Sequence, residues 1–338
     1  MLSSSLTIFL IEFLYKIGIF DPWYDVENYG IYRNIDVKYK INQLYDSDEE
    51  FIWYKRDQYG FRGNYKNVSD IDIVTIGGST TDQRYISYNK TYQSVLEKSL
   101  KQSGINVSIV NAGIDGHTIK GHIFSLEKWF SLIEGIKPKL IIFYIGINDT
   151  YRYFKGSELK KKTFPRNTLM YGLLHKNYHK YLNQYFDESK VGHARLDFKK
   201  LSLIENENIN LNEEKLNNYL INYEIELDDL LRVCMNYTEN ILLVTQPSNY
   251  CTIIRGKKYY YDHKQKISGS SFEHVHDKIN CTIKKQADKC YVLEIEKSNF
   301  KTEDFYDFVH TNPKGSKKIG NIISNYISLN LDHLFPEK

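Results

Sequence analysis

The sequence predicts a three-layer α/β/α sandwich with about five parallel strands, built as one large domain. Short runs of β-branched and apolar residues alternate with segments in which apolar residues recur at helical spacing. This alternation is typical of βαβ units, whose helices cover both faces of a parallel sheet. A chain of 338 residues is also long enough to bury a large core without disulfides or metals. The expected strands are 71–76, 107–113, 139–146, 240–247 and 291–295.

Helices are expected between and after these strands. The segment 87–104 carries Tyr92, Leu96 and Leu100 on one helical face and ends at Gly104, a residue typical of helix C-termini. The other expected helices are 118–134, 213–237, 271–289 and 313–329.

Two parts of the chain do not follow this rhythm. Residues 1–69 are interpreted as an N-terminal extension, irregular and polar-aromatic from 21 onwards, ahead of a domain expected over 70–335. An insertion over about 150–212 is rich in Lys, Tyr, His and Asn and has no clear strand. Short helices are expected there, because a structureless loop of that length is unusual in a compact domain.

Composition and cysteine spacing exclude several classes of protein. The formal net charge is +3 with both signs interspersed, which argues against a dedicated nucleic-acid-binding protein. Hydrophobic residues make up 41% of the chain, so it is not intrinsically disordered. Cys234, Cys251, Cys281 and Cys290 contain no CxxC pair and are too scattered for a disulfide framework. One or two disulfides stay open as an interpretation if the protein is exported.

The apolar segment 6–20 is interrupted by Glu12 and Lys16. It is shorter than the roughly 20 residues that cross a bilayer. It also lacks the basic start and the small-residue cleavage site of a signal peptide. Two interpretations stay open: an amphipathic or core helix, and a degenerate membrane anchor.

Polar residues that can carry chemistry follow the predicted strands. Ser79 follows a Gly-Gly turn after the first strand, Gly116 follows the second, and Asn148 follows the third; Asp307 and His310 stand between the last strand and the last helix. Ligands of open parallel sheets bind outside the carboxyl ends of the strands, so these residues are expected at one edge.

These residue types fit the requirements of acyl transfer. A serine hydroxyl on a tight turn can act as a nucleophile, and a neutral imidazole can take its proton and return it to the leaving group. A carboxylate three residues before the histidine can hold the imidazole tautomer. A backbone N–H from a glycine turn and a side-chain amide can stabilise the oxyanion.

Together the segments GGSTT, NAGIDGHT, GIND and DFVH resemble the four sequence blocks of the SGNH (GDSL-type) hydrolases, in the right order over 71 to about 325. The resemblance implies a flavodoxin-like fold and a serine esterase that works through an acyl-enzyme without metal or organic cofactor. It implies a catalytic triad of Ser79, His310 and Asp307. It also implies an oxyanion hole formed by the N–H groups of Ser79 and Gly116 and the side chain of Asn148.

One position departs from the family pattern. The first block of the family usually reads Gly-Asp-Ser, and here Gly78 stands in place of the aspartate. That aspartate is not part of the triad, so the chemistry is expected to survive.

The resemblance leaves the substrate open among acetylated sugars, lipids and thioesters. The N-terminal apolar segment and the sequence YGFRG at 59–63 resemble membrane-linked bacterial relatives associated with surface polysaccharides. An O-acyl or O-acetyl group on a carbohydrate is therefore the expected substrate. An O-acyltransferase to a glycan and a non-catalytic carbohydrate-binding protein are the alternatives. Two cellular locations stay open: the bacterial cell envelope, as a membrane-associated or exported protein, and the cytoplasm. The sequence does not predict an oligomeric state.

Simpler structural roles exist for the same residue types. Ser79 could cap a helix, Asn148 could cap the turn after its strand, and the DFVH segment could only precede the last helix. Asp115 and His117 are interpreted as rim residues beside Gly116.

Two histidine pairs are candidate metal ligands. They are His175 with His179, and His274 with His276. Neither has an evident third ligand, so solvated surface histidines are expected and no metal is implied.

Overall fold

The computed structural model describes residues 23–156, 191–205, 211–262 and 267–335, with Ile209 and several single positions between 7 and 14. Within them, the central sheet has the strand order β11-β8-β6-β4-β5-β3. The strands are β1 (Ile35–Lys40), β2 (Phe51–Arg56), β3 (Arg62–Gly63), β4 (Ile73–Gly77), β5 (Ile109–Asn111), β6 (Leu140–Tyr144), β7 (Leu203–Glu205), β8 (Ile241–Val244), β9 (Cys251–Ile254), β10 (Lys257–Tyr261) and β11 (Tyr291–Leu293).

The strand order confirms the predicted flavodoxin-like fold class. The strands β4, β5, β6, β8 and β11 are parallel, and only the two-residue edge strand β3 is antiparallel. The first of the five parallel strands lies between the second and the third, so the order reverses between β4 and β6. In open α/β sheets the ligand site lies at such a switch point.

Helices cover both faces of this sheet, as predicted. They are α1 (Tyr24–Asn28), α2 (Ser79–Asp82), α3 (Tyr92–Gln102), α4 (Ile119–Phe124), α5 (Ile147–Lys155), α6 (Glu213–Cys234), α7 (Gly269–Lys284), α8 (Pro313–Leu329) and α9 (Leu331–Leu334). On one face α4, α6 and α7 pack against strand residues such as Val74 and Ile76; on the other, α3 and α8 pack against Ile73. Because both faces are buried, β4 is apolar along most of its length.

The helix expected over 118–134 is not continuous. The α-helix ends at Phe124, a π-helical turn follows over Ser125–Trp129, and a 3-10 turn covers Phe130–Leu132. Trp129 and Phe130 are both fully buried.

The prediction of irregular structure over 21–69 is wrong. Strands β1 and β2 form an antiparallel hairpin, and β3 pairs with β5 at the edge of the main sheet. The sequence IDVKYK of β1 alternates apolar and charged residues, which is the pattern of a half-buried strand.

The insertion expected at about 150–212 is described only in part. Its first residues continue α5 to Lys155, and one short 3-10 helix, as expected, covers Phe198–Lys200. Residues 157–190 lie outside the described part of the chain. Contrary to the expectation of no strand, β7 pairs with β10 in a separate sheet of order β7-β10-β9.

Most of the N-terminal segment 6–20 also lies outside the described residues. Among the residues that are described, no helix combines the length and apolarity needed to cross a bilayer. The four cysteines are free thiols.

Candidate active site

Ser79 stands at the carboxyl end of β4, as the first residue of the short helix α2. The turn before it is tight, because a Cβ at Gly77 would collide with Thr81 and with the carbonyl of Tyr144. A first helical residue has a backbone N–H without an acceptor inside the helix. The half-buried Ser79 therefore presents both its hydroxyl and its N–H at the switch point of the sheet.

Asp307 and His310 lie in the loop before α8, and the structure brings both to Ser79. Oδ1 of Asp307 accepts hydrogen bonds from the backbone N–H groups of Val309 at 2.9 Å and His310 at 2.7 Å. Its Oδ2 is 2.7 Å from Nδ1 of His310, and Nε2 of His310 is 2.7 Å from Oγ of Ser79. An ionised carboxylate can only accept, so Nδ1 carries the proton and Nε2 accepts from the serine hydroxyl.

The charges of this pair support the same assignment. Burial raises the pKa of Asp307, but the neighbouring His310 and the hydrogen bonds to the carboxylate outweigh it, so that pKa lies below its usual value. Burial lowers the pKa of His310, but the charge and hydrogen bond of Asp307 outweigh it and raise the pKa above 6.5. The carboxylate is thus ionised and the imidazole is a stronger base than usual.

The predicted helix start after His310 is confirmed. Helix α8 begins at Pro313, and the side chain of Asn312 caps it by accepting from the N–H groups of Lys314 at 2.9 Å and Gly315 at 3.2 Å. The capped helix end fixes where the preceding histidine points.

Asn148 lies beside the turn that carries Ser79. Its Nδ2 donates to the carbonyl of His117 at 2.8 Å, and a Cβ at position 78 would collide with the same nitrogen. The glycine that replaces the family aspartate therefore leaves room for the Asn148 amide. The second N–H of that amide is available to an oxyanion.

Gly116 lies in a turn in which the N–H of His117 donates to Ile114 at 3.1 Å. Its φ of +76° lies in the left-handed region that favours glycine. Gly116 makes no hydrogen bond to Ser79 or Asn148; the link is the carbonyl of the next residue, His117, on the Asn148 amide.

The position of His117 beside Gly116 suggested a rim residue, and this interpretation is wrong. It is buried, and Nε2 of its ring is 2.9 Å from the carbonyl of Tyr29. Asp115, by contrast, is exposed and lies 3.7 Å from Arg84.

Gln246, at the end of β8, joins the two helices that carry Ser79 and Asn148. Its Nε2 donates to Oγ1 of Thr80 at 2.7 Å, and its Oε1 accepts from the N–H of Ile147 at 2.7 Å. The side chain is 2% exposed. It ties the segment of Ser79 to the segment of Asn148, and no pattern in the sequence singled it out.

The N-terminal hairpin contacts α2, the short helix that begins at Ser79. Nη2 of Arg56 lies 2.8 Å from Oδ1 of Asp82, which also accepts from the hydroxyl of Tyr54 at 2.7 Å. Arg56 and Asp82 are 3% and 1% exposed, so this ion pair is buried one helical turn from Ser79. Arg62, in the edge strand β3, donates from its Nη1 to the carbonyl of Gln83, the residue after α2, at 3.0 Å.

Residues 191–196, here called the strap, cross the loop that carries Asp307 and His310. Arg195 forms a two-point ion pair with Asp46, at 2.7 and 3.0 Å. The N–H of Leu196 donates to the carbonyl of Tyr306 at 2.8 Å, directly before Asp307. The strap thus joins the N-terminal hairpin region to the loop that carries Asp307 and His310.

The strap places His193 against the ring of His310. The ring centroids of His193 and His310 are 4.1 Å apart at an interplanar angle of 32°. Nδ1 of His193 is 2.7 Å from the hydroxyl of Tyr306, and the ring of Tyr85 meets His193 edge-on at 4.9 Å. Burial keeps the pKa of Tyr306 high, so its phenol is protonated, and which of the two groups donates depends on the tautomer of His193.

His193, Asp307 and His310 are close enough together to be weighed as a metal site. Their geometry argues against a shared ion. Nδ1 of His193 and Nδ1 of His310 already have partners, and the two rings lie face against face at 4.1 Å with a tilt of 32°. Imidazole lone pairs lie in the ring plane, so rings in this arrangement do not direct them at one point.

The other histidine pairs give no metal site within the described residues. His276 is buried, contrary to the expectation of a surface residue, and its ring nitrogens are 3.0 Å from Oγ1 of Thr150 and 2.7 Å from the carbonyl of Gln246. His274 lies 3.6 Å from Glu213. The pair at 175 and 179 lies outside the described residues.

A small cavity adjoins the reactive atoms. Its volume is about 10 Å³, which is about the space needed by one water molecule. It is lined by Ser79, Thr80, Gln83, Tyr85, Ile86, Tyr306, His310 and Thr311.

The fold and the site define a flavodoxin-like α/β protein in which serine, histidine and aspartate side chains meet at the switch point of the sheet. The sequence pattern of the GDSL-like Lipase/Acylhydrolase family matches residues 73–323. The chain belongs to this family, so the resemblance found in its sequence blocks is confirmed.

Solved structures with similar backbones include three esterases or lipolytic proteins. The acetyl xylan esterase AlAXEase has 15% identity and a TM-score of 0.43, over 76% of this chain and 100% of that chain. A G-D-S-L family lipolytic protein from Veillonella parvula has 12% identity and a TM-score of 0.45, over 76% and 98%. The acetylxylan esterase Axe2 from Geobacillus stearothermophilus has 15% identity and a TM-score of 0.43, over 76% and 94%. No curated protein matches the sequence.

Proposed function

We propose that this protein is a serine esterase that removes a small acyl group, such as acetyl, from a carbohydrate hydroxyl. The observation that carries the proposal is the continuous chain from Ser79 Oγ to His310 Nε2 and from His310 Nδ1 to Asp307, with 2.7 Å at each step. These are the distances that a nucleophile, a general base and an orienting acid require.

In the proposed reaction, Oγ of Ser79 forms a bond to the acyl carbon while its proton passes to Nε2 of His310. The proton then goes to the alcohol oxygen as its bond to the acyl carbon breaks and the alcohol departs. In the second step water attacks the acyl carbon while its proton passes to His310, and His310 returns that proton to Oγ of Ser79 as the carboxylic acid leaves. The N–H groups of Ser79 and Gly116 and the amide of Asn148 would stabilise the negative oxygen. Asp307 keeps the imidazole in the right tautomer and stabilises its charged form.

The space and polarity around Ser79 support the proposed substrate class. Within the described part of the chain, the space beside Ser79 and His310 is small, which favours a short acyl group over a long one. The exposed Asp115 acts on His310, and the partly exposed Arg84 lies 3.7 Å from Asp115; a charged rim of this kind suits a polar alcohol. The resemblance of YGFRG at 59–63 to bacterial relatives associated with surface polysaccharides supports a glycan as the source of that alcohol.

The test is turnover of p-nitrophenyl esters of increasing chain length by the wild type and by Ser79→Ala. We expect Ser79→Ala to lose at least about 10⁴-fold in kcat. Ser131→Ala, at an exposed serine, should match the wild type. Acetate should be turned over faster than octanoate. An active Ser79→Ala enzyme would refute the proposal.

Acetylated oligosaccharides separate hydrolysis from transfer. Release of acetate that is unaffected by added deacetylated glycan supports the esterase. Acetyl groups that appear on the added glycan would instead identify an acyltransferase. A folded wild type that neither turns over any ester nor reacts with a fluorophosphonate probe would point to a binding protein.

A further inference from the structure

We propose that His193 is a positioning residue of the catalytic site: its neutral ring lies against one face of His310 and stabilises the imidazolium formed when His310 accepts the proton of Ser79. The inference rests on the proposed function and adds a residue from outside the sequence blocks that define the family. His193 belongs to the strap, in the part of the chain interpreted as an insertion.

The first support is the ring geometry. His310 is in contact with two aromatic rings, His193 at 4.1 Å and Tyr306 at 5.6 Å, the latter at an interplanar angle of 6°. A cation gains energy from the face of a neutral aromatic ring within about 6 Å. Ring contacts of this kind help the charged form of His310 more than the neutral form.

The second support is that His193 is held in place. The hydroxyl of Tyr306 lies at hydrogen-bond distance, 2.7 Å, from its Nδ1. Tyr85 packs against the ring and accepts at 2.9 Å from the N–H of Gly192. Two residues further on, an exposed ion pair joins Arg195 to Asp46, and the N–H of Leu196 donates to the carbonyl of Tyr306 at 2.8 Å. The ring therefore adopts its position before any substrate binds.

The third support is the charge state. His193 must be neutral to stabilise an imidazolium, since two charged rings at 4.1 Å would repel each other. Burial and the neighbouring His310 lower the pKa of His193 to about 4, so it is neutral at physiological pH. Other groups that act on the two rings are Asp307, Asp115, Arg84, Tyr85 and Tyr306.

The experiment compares His193→Leu with His193→Phe. Leucine keeps the apolar bulk over His310 but removes the aromatic face, whereas phenylalanine keeps that face and loses only the bond to Tyr306. The pKa of His310 is measured by NMR titration, with its resonance identified by its loss in His310→Asn. His333→Leu, at an exposed histidine, is the control.

We expect the pKa of His310 to fall by about half a unit to one unit in His193→Leu and to stay unchanged in His193→Phe. We expect kcat to fall about three- to tenfold in His193→Leu, while KM stays the same and His193→Phe retains most of the activity. A merely structural role would affect both variants alike and leave the pKa of His310 where it is.

Equal pKa values in the wild type and His193→Leu would overturn the proposal, and so would equal losses of kcat in the two variants without a pKa difference. The NMR titration needs no turnover. A wild type without esterase activity would refute the proposed function, while the titration would still decide whether His193 stabilises the charged His310.

Discussion

The side-chain amide of Asn148 lies in the space that a Cβ at Gly78 would occupy. Most members of the family carry an aspartate at this position of the first block, whereas this chain has the Asn148 amide there, held by the carbonyl of His117 at 2.8 Å. In this chain the side-chain amide of Asn148, the proposed oxyanion donor, therefore occupies space beside the Ser79 turn that a side chain at position 78 would need.

We therefore predict that Gly78→Ala lowers kcat about 100- to 1000-fold, the usual effect of losing one oxyanion donor. The backbone at Gly78 has φ −84°, so alanine meets no left-handed strain and the effect should come from the displaced amide. Steady-state kinetics with p-nitrophenyl acetate and a thermal melt measure activity and folding separately.

A double-mutant cycle provides the control for this coupling. In an Asn148→Ala background the collision is absent, so adding Gly78→Ala should change kcat little further. Full activity of Gly78→Ala alone, or additive losses, would contradict the link between the two positions.

The second prediction concerns the pH dependence. Ser79 can be activated only when His310 is neutral, so kcat/KM should rise with pH through the pKa of His310. That pKa lies above 6.5 because Asp307 outweighs the effect of burial. The acid limb of the profile should therefore have its midpoint above 6.5.

Asp307→Asn should lower that midpoint, since an amide stabilises the imidazolium less than a carboxylate does. It should also reduce kcat by about 10⁴-fold, because an amide can donate to the ring and favour the wrong tautomer. Asp332→Asn, at an exposed aspartate, is the control. An unchanged midpoint in Asp307→Asn would show that the carboxylate does not raise the pKa of His310.

Four of the five parallel strands could be predicted from the sequence because each is a short apolar run next to a glycine or a proline. The fifth, at 291–295, has neither beside it and is indicated by its apolar residues alone. The site residues Ser79, Asn148, Asp307 and His310 follow such runs or the last of them, and the rule of strand ends places them at one edge. Their approach to one another thus followed from local signals and one general property of parallel sheets.

Other features had weak signals or none. The alternation in β1 does indicate a strand, but the two residues of β3 are too few to show a period. The contact of His193 with His310 joins positions more than one hundred residues apart, and no motif marks either the strap or Gln246. Such contacts depend on how loops pack, which single-residue patterns do not encode.

The buried ion pair between Arg56 and Asp82 leads to the last prediction, on stability. Removing one partner of a buried pair leaves an uncompensated charge, which costs about 3–5 kcal/mol in other proteins. Asp82 keeps Tyr54 and Arg84 as partners, so Arg56→Leu should lower the free energy of unfolding by about 3 kcal/mol, the low end of that range. Urea denaturation at neutral pH measures it, with the exposed Lys55→Leu as control.

The pH dependence of this loss has a defined sign. Burial raises the pKa of Asp82, but Arg56, Arg84 and the hydrogen bond from Tyr54 outweigh it, so the folded-state pKa lies below 3.8. A lowered carboxyl pKa adds stability above the unfolded pKa, and that stability is lost as pH falls through the folded value. The difference between wild type and Arg56→Leu should therefore shrink in acid. Because Asp82 shares its short helix with Ser79, kcat should fall as well; a variant with lower stability and unchanged kcat would show that the pair does not position the nucleophile.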